Sequence, residues 1–147
     1  MASATPQTYA THRRFVAAFH FVLLPILLLT FIGSCVNLYK SWGDHARIYS
    51  ASLITVLVFC TIVVALFARM FALRAQDRAI RAEEQLRHYV LTGKLLDPRL
   101  DMRQVIGLRF APDEEFVGLA RRAAEQGLTE DAIKREVKNW RGDTYRV

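Results

Sequence analysis

The histidines of this chain are the side chains best suited to ligate a metal or haem, or to carry protons. His20 stands out because it lies inside a long apolar run, where an ionisable residue is a functional hypothesis by default. It could bind a cofactor or relay a proton, but the second apolar run offers no His, Asp or Glu as its partner. We therefore treat His20 as an intramembrane polar site and expect its role to be a structural hydrogen bond.

The other residues capable of chemistry form no recognisable site. The spacing of His12, His45 and His88 does not match a zinc site. The chain has no glycine-rich phosphate loop, no nucleophile elbow and no His-Glu-x-x-His motif. The acidic triplet at residues 113–115 stands at a predicted helix start, where carboxylates complement the helix dipole. We predict that the protein is not an enzyme and has no catalytic residue, no metal and no cofactor.

The two cysteines, Cys35 and Cys60, lie in different apolar runs. Their depths along these runs differ by roughly 12 Å at about 1.5 Å per residue. A disulfide requires Cα atoms within about 7 Å of each other, so no bond between them is expected. Both are predicted to be small, buried packing residues.

Two apolar runs dominate the first half of the 147-residue chain. Residues 15–38 and 50–68 span 24 and 19 residues, and both exceed the roughly 18 residues that identify a transmembrane helix. A cleaved signal peptide is the alternative for the first run, but this run is too long and lacks a small-residue cleavage site. The predicted fold class is an all-α membrane protein with a two-span antiparallel transmembrane hairpin.

Arginines flank the apolar runs on one side only. Arg13 and Arg14 precede the first run, and Arg69 and Arg74 follow the second, whereas the loop between the runs is nearly balanced in charge. Positive residues favour the cytoplasmic side, which predicts that both termini lie in the cytoplasm and the short loop lies outside. These four arginines are predicted to contact lipid headgroups.

A seam of small side chains runs along the second predicted helix, which we place at about residues 50–91. Its central positions repeat every three and four residues as a heptad pattern and comprise Thr61, Ala65, Ala68, Ala72, Ala75, Ala79 and Ala82. Small residues let another helix backbone approach closely, which is how helices associate in lipid. The seam is therefore a predicted helix-packing interface. It could pack within the chain, but its length favours a second chain.

Beyond the second span, the pattern predicts a long cytoplasmic extension of the same helix and a small helical tail. Opposite charges at Asp77/Arg81 and Glu83/Arg87 are spaced for ion pairs on a solvated helix. Gly93 is predicted to end this helix. Three short amphipathic helices follow, and their apolar surface is predicted to dock on the alanine-rich helix because it is too small for an independent core.

Helix-capping and helix-breaking residues define the predicted ends of those three tail helices. Asp97 and Pro98 are predicted to start the first. Pro112 opens the second, which ends at Gly127. Thr129 caps the third, whose apolar face is formed by Ile133, Val137 and Trp140. The predicted organisation is a cytoplasmic segment at 1–14, a first span at 15–38, an external loop at 39–47, a second span with its extension at 48–92 and a cytoplasmic tail at 93–147.

The formal net charge of +6 raises the question of nucleic-acid binding. After residue 68 the chain has 16 Lys plus Arg and 13 Asp plus Glu, and the two signs are interspersed. A nucleic-acid-binding groove would have a larger excess of positive charge, so nucleic acid is not an expected partner. Membrane lipid accounts for the arginines beside the spans.

Three stretches resemble the start, the centre and the end of an uncharacterised bacterial family of short two-span membrane proteins. They are Tyr-Ala-Thr-His-Arg at residues 9–13, Gln-Asp-Arg-Ala-Ile-Arg-Ala-Glu-Glu at 76–84 and Lys-Asn-Trp-Arg at 138–141. The resemblance covers nearly the whole chain. It implies a two-span protein of the bacterial inner membrane but no mechanism, because the family has no assigned function.

Two functions are compatible with this organisation. The first is a non-enzymatic accessory or scaffold subunit, whose seam and tail bind a larger membrane complex or other copies of itself. The alternative is a homo-oligomeric membrane pore or transporter, which would need a continuous polar face along the spans. The few hydroxyls and amides of the runs do not share one face, so we favour the accessory subunit.

Overall fold

A computed structural model describes residues 8–9 and 16–142, and every regular element in these residues is helical. The chain divides into two units, Phe15–Ala72 and a second formed by Met1–Arg14 with Leu73–Val147. The helices are α1 (Leu24–Lys40), α2 (His45–Thr92), α3 (Met102–Leu108), α4 (Asp113–Gln126) and α5 (Glu130–Glu136), with a π-helical segment (Ala18–Leu23) before α1. The predicted all-helical fold is confirmed.

In the first unit, a short turn joins α1 to the start of α2. Gly43 adopts a positive φ of 94° in this turn, a conformation that a residue without Cβ reaches at little cost. The carboxylate of Asp44 accepts the backbone N–H groups of Ala46 and Arg47 at 3.0 and 3.3 Å. These bonds satisfy donors that the first turn of a helix leaves open, so α2 begins before the predicted Ser50.

The first helix departs from α geometry where Pro25 enters it. Proline has no N–H to donate, and its ring crowds the carbonyl four residues earlier. The preceding segment, Ala18–Leu23, forms a π-helix, and the N–H of Leu24 donates to the carbonyl of Phe19. The irregularity before Pro25 therefore takes the form of a π-helical turn.

The two helices of the first unit run antiparallel and meet through small and aromatic side chains. The hydroxyl of Thr55 donates to the carbonyl of Ser34 at 3.2 Å, and the rings of Phe31 and Phe59 lie 6.2 Å apart. Ala51 is only 1% exposed. Close contact between these backbones thus relies on small residues at the crossing.

Both long helices expose most of their apolar side chains. The stretches Ala18–Lys40 and His45–Thr92 reach mean hydropathies of 2.3 and 2.7, and only 6% of each apolar window is buried. Both helices are long and apolar enough to cross a membrane. The prediction that Cys35 and Cys60 are buried packing residues is wrong, because both are exposed free thiols. Two other small residues, Ser34 and Ala51, are buried instead.

In the second unit, helix boundaries follow local capping. Gly93 and Gly127 adopt positive φ values of 70° and 62° directly after α2 and α4, as predicted from their positions. Thr129 accepts the N–H of Ala132 and caps α5. The predicted start at Asp97 is wrong: α3 begins at Met102, where Asp101 and Gln104 form a capping box.

Side chains from the three tail helices build one apolar core. Its most buried large members are Phe116, Leu100, Leu108, Leu119, Ile133 and Val105. Ile80 of α2 joins this cluster. The tail does pack on α2 as predicted, but it buries more apolar surface of its own than expected.

The last tail helix is shorter than its apolar pattern suggests. It ends at Glu136, and the carboxylate of Glu115 then accepts the N–H groups of Lys138 and Asn139 at 2.9 and 3.2 Å. Trp140 therefore lies beyond the helix, with its ring 4.8 Å from that of Phe110. The predicted helical face of α5 is correct for Ile133 and wrong for Trp140, because these bonds turn the chain away.

Candidate functional site

One face of α2 in the second unit is covered by the tail. Ile80 and Glu84 are 7% and 6% exposed. The guanidinium of Arg81 donates to the carbonyl of Leu100 at 3.5 Å, and the ring of His88 meets that of Phe116 edge-on at 6.0 Å. This face is the tail-packing face of α2, defined by Ile80, Glu84, Arg87 and His88.

The seam lies on a different side of the same helix. Ala75, Ala79 and Ala82 are all exposed in the folded unit. Successive helical residues turn by about 100°, so these alanines lie roughly opposite the tail-packing face. Leu86 and Tyr89 continue the same side and are 64% and 53% exposed. We call Ala75, Ala79, Ala82, Leu86 and Tyr89 the open seam.

In the first unit, the seam positions are only partly covered. Ala65 and Ala72 are half-buried, whereas Thr61 and Ala68 are exposed. The hydroxyl of Thr61 donates to the carbonyl of Leu57 at 2.8 Å. Packing of α1 on α2 thus leaves part of the seam accessible in this unit as well.

Arg87 is the centre of a polar network that sequence reasoning assigned differently. Its guanidinium contacts Glu84 at 3.0 Å and Asp113 at 2.6 Å, and donates to the carbonyl of Ala111 at 2.8 Å. It also lies 4.3 Å from the ring centre of Phe116. The predicted Glu83/Arg87 pair is replaced by Glu84/Arg87. Both acids fit helical spacing, and only burial against the tail selects between them.

Arg141 reaches the same buried carboxylate from the end of the chain. Its guanidinium lies 3.9 Å from Glu84, and its backbone N–H donates to the carbonyl of Phe110 at 2.8 Å. The other predicted pair, Asp77/Arg81, is also not formed among the residues that the structure describes, because Arg81 turns to Leu100. The buried carboxylate of Glu84 therefore has two arginines that compensate its charge.

Tyr9 joins the N-terminal segment to α5. Its hydroxyl donates to the carboxylate of Asp131 and accepts from the guanidinium of Arg135 at 3.2 Å. The guanidinium also lies 5.3 Å from the centre of the tyrosine ring. The hydrogen bond to Tyr9, followed by the charge of Asp131, raises the pKa of Arg135. No pattern in the sequence indicated this contact, because 122 residues separate its partners.

His20 forms a local hydrogen bond. Its Nδ1 lies 3.0 Å from the carbonyl oxygen of Val16, four residues earlier, and its ring meets that of Phe19 edge-on at 5.2 Å. In the described part of the chain, no group of three His, Cys, Asp or Glu residues is placed to hold a metal ion.

The predicted headgroup arginines separate into three cases. Arg13 and Arg14 lie outside the described residues. Arg69 is half-buried and its guanidinium lies 5.9 Å from the ring centre of Phe19. Arg74 is exposed. The long side chain of an exposed arginine beside an apolar helix can extend its guanidinium to an anionic lipid headgroup. A guanidinium over an aromatic ring, as in Arg69 over Phe19, is held there by attraction to the face of the ring.

Asp97 shows the clearest electrostatic perturbation outside the two apolar helices. Its carboxylate accepts from the side chain of Arg99 at 2.7 and 3.0 Å and from its backbone N–H at 2.9 Å. These bonds lower the pKa of Asp97 from 3.8 to about 2. The residue predicted to cap a helix instead closes a charged turn.

Hydroxyl groups of the first unit bond to nearby backbone. Ser34, Ser50, Ser52, Thr55 and Thr61 each donate to a carbonyl three or four residues earlier. Such bonds are the usual way for a hydroxyl to be satisfied in an apolar helix. These five hydroxyl groups are therefore satisfied by the backbone of their own helices.

Comparison with known proteins places this arrangement in a family. A family model described as "Family of unknown function (DUF6526)" matches residues 1–147. The chain belongs to this family. Membership confirms the expectation of an uncharacterised family for this DUF6526 protein. No curated protein and no solved structure gives a significant match.

Proposed function

We propose that this DUF6526 protein is a non-enzymatic accessory or scaffold subunit of a membrane assembly, and that it associates through the open seam. The observation that carries the proposal is the exposure of Ala75, Ala79 and Ala82 on a folded unit whose tail has packed elsewhere. A helix with this composition needs a packing partner to be stable in water. The tail supplies one such partner on one side, and a second chain supplies another on the open seam.

Small residues favour this use of the seam over general stickiness. An alanine stripe lets a second helix backbone come closer than larger side chains allow, which increases dispersion contacts and interhelical Cα–H···O bonds. Leu86 and Tyr89 of the open seam add apolar surface that water would otherwise meet. The seam therefore favours one geometry of helix packing rather than many.

The apolar surface of the first unit supports membrane insertion. Large side chains such as Phe21, Leu29 and Leu57 are about two-thirds exposed at 67%, 69% and 67%. A water-soluble protein of this size does not expose a continuous apolar surface of that extent. Within a bilayer, the same side chains meet lipid tails.

The Tyr9 contact supports a topology with both ends on one side. A residue that precedes the first span touches α5, which follows the second. Two crossings with joined ends require the short loop at the opposite face. Together with the arginines beside the spans, this favours cytoplasmic termini in the inner membrane of a bacterium, with the loop outside.

The seam can be tested by enlarging it. Ala79→Leu adds a bulky side chain to the open seam and changes intrinsic helix propensity little. Ala46→Leu is the matched control, because Ala46 is exposed on the same helix but off the seam. We expect Ala79→Leu to lower the native mass of the particle extracted in mild detergent, and Ala46→Leu to leave it unchanged. Equal native masses for the two variants would contradict the proposal that the protein associates through the open seam.

The topology has an independent test. Trp42→Cys and Glu114→Cys place single thiols in the loop and on α4, in a background with Cys35→Ser and Cys60→Ser. A membrane-impermeant maleimide should label Trp42→Cys in intact cells and Glu114→Cys only after lysis. The reverse pattern would overturn the orientation, and labelling of both in intact cells would overturn membrane insertion of this hairpin.

A further inference from the structure

The open seam is flanked by two opposite charges that have no partner in the described part of the chain. Arg78 and Glu83 are both exposed on α2. An ion pair along one helix needs a spacing of three or four residues, and these two are five apart. Arg87, which stands four residues after Glu83, is engaged by Glu84 and Asp113.

The heptad pattern places Arg78 and Glu83 at positions that border the open seam. Ala72, Ala79 and Leu86 occupy a positions, and Ala75, Ala82 and Tyr89 occupy d positions. In this numbering Arg78 is a g residue, and Glu83 is the e residue of the next heptad. Residues at g and at the following e position meet across a parallel pair of helices, where they select partner and orientation.

We propose that the partner at the open seam is a second copy of this chain, with the two α2 extensions parallel and in register. Arg78 of each copy then meets Glu83 of the other, so a symmetric pair gains two ion pairs. The exposed Leu86, Tyr89 and Val90, which are 64%, 53% and 74% exposed, come together at the same interface. This inference rests on the proposed function, since it names the partner of the same surface.

Membrane insertion also fixes the direction of such a pair. Copies inserted with one topology carry α2 in the same direction, and a two-fold axis along the membrane normal relates them. An antiparallel pair would instead place g residues against g residues and e residues against e residues. In the antiparallel pair, Arg78 would not meet Glu83. The charges therefore favour the parallel pair, which is also the arrangement that a common membrane topology requires.

The tail leaves room for this second helix. Tail contacts cluster on Ile80, Glu84, Arg87 and His88, and the open seam lies roughly opposite them around the helix. The ion pairs of Arg87 with Glu84 and Asp113 hold the tail on its own face. Each copy can therefore keep its tail core intact while the seam is occupied.

A cysteine at a d position tests whether two copies meet in register. The variant is the full-length chain with Cys35→Ser, Cys60→Ser and Ala82→Cys, oxidised in native membranes. A parallel, in-register pair brings the two Cα atoms within the roughly 7 Å that a disulfide needs. We expect a covalent dimer of this chain, and no such dimer from the matched control Ala46→Cys.

Charge reversal tests the pairing of Arg78 with Glu83. In the Ala82→Cys background, Arg78→Glu and Glu83→Arg should each lower the rate of dimer formation by about threefold to tenfold, because each creates like-charge contacts in place of exposed ion pairs. The double variant should recover most of the original rate. Glu114→Arg, which makes the same charge change on α4, should leave the rate unaltered.

The outcomes separate this inference from the proposed function. Dimer formation with recovery in the double variant supports the parallel pair. Failure of Ala82→Cys to link two copies, while Ala79→Leu still reduces the native mass, overturns self-pairing and leaves a different partner at the seam. Dimer formation without recovery overturns the Arg78–Glu83 pairing and the register that it defines.

Discussion

The two units of this DUF6526 protein differ in where they place large apolar side chains: the first unit exposes them, and the second unit buries them. In the first unit, Phe21 and Leu57 are 67% exposed, and the buried positions are held by small residues such as Ser34 and Ala51. In the second unit, Phe110 and Phe116 are completely buried, and most charged side chains that the structure describes are exposed. The proposed membrane insertion accounts for this inversion, because it places lipid tails around the first unit and water around the second.

The comparison teaches that apolar content alone does not identify a core. Phenylalanine and leucine stabilise the second unit by leaving water, whereas in the first unit helix contacts depend on small residues and shape. Truncating a large apolar side chain should therefore have very different consequences in the two units.

Phe116→Ala should have the largest effect on stability. Removal of this completely buried ring loses apolar burial, its edge contact with His88 and its place under Arg87. We expect the free energy of unfolding to fall by about 3–5 kcal/mol. The measurement is denaturant unfolding of the full chain in mild detergent, followed by Trp140 fluorescence with Trp42→Phe as background.

Leu57→Ala is the matched truncation in the first unit. Leu57 is 67% exposed, so its loss should change the same unfolding transition by no more than about 0.5 kcal/mol. If Leu57→Ala destabilised this transition as much as Phe116→Ala, the contrast between the units would be mistaken. A similar loss in both would mean that the first unit buries Leu57 in a water-soluble core.

Arg87→Ala should have the next largest effect. It leaves the carboxylate of Glu84, whose side chain is 7% exposed, without its nearest cation and removes the bond to Asp113. We expect a loss of about 3 kcal/mol in the free energy of unfolding.

Arg121→Ala provides the exposed counterpart of that change. Arg121 pairs with Glu125 at 2.9 Å, but its side chain is 79% exposed, so water screens the interaction. Its loss should cost no more than about 0.5 kcal/mol. Indistinguishable unfolding curves for the two arginine variants would show that the tail does not desolvate Glu84.

Replacing two glycines of the second unit by alanine should change the stability of the fold in opposite directions. A Cβ on Gly107 would lie 3.2 Å from the Glu130 carbonyl oxygen and 3.2 Å from Cγ2 of Ile133, whereas on Gly118 it meets only the end of Arg122 at 4.0 Å. Gly107→Ala should destabilise by about 1–2 kcal/mol through overpacking. Gly118→Ala should stabilise by about 0.5–1 kcal/mol, because glycine is a poor helix former. Thermal unfolding of both variants checks this, and equal signs would contradict the packing of α3 on α5.

The smallest predicted effect is a pH dependence at Asp97. Bonds from Arg99 lower its folded pKa from 3.8 to about 2. A depressed carboxyl pKa stabilises the fold above the unfolded value, and that contribution is lost as pH falls from 3.8 towards about 2. Asp97→Asn should therefore be slightly less stable than the natural chain near neutral pH and equal to it at the acid end of that window. A stability difference that does not narrow on acidification would contradict this origin.

Local rules account for the parts of the fold that the sequence predicted well. Gly127 ends α4 and Thr129 caps α5 because these residue types satisfy helix ends with their own backbone or side chain. The apolar runs likewise predicted the two long helices. Asp97 was misassigned as a cap because Asp101 lies close to it and has Gln104 three residues later, which completes a capping box.

Features that depend on distant contacts could not be predicted in this way. Glu84 rather than Glu83 pairs with Arg87 because the tail covers only one of them. Tyr9 reaches Asp131 across most of the chain length. For the candidate site, the heptad pattern identified the alanines of the seam, but only the folded tail shows which side of α2 stays open.

The mass of the native particle in mild detergent tests the central claim most directly. One chain has a mass of 16.8 kDa, and the open seam predicts that the natural protein is extracted as a larger assembly. Ala79→Leu should shift that assembly towards a single chain, while Ala46→Leu should not. A natural protein that is extracted from the membrane only as a single chain, with no copurifying partner, would contradict the account.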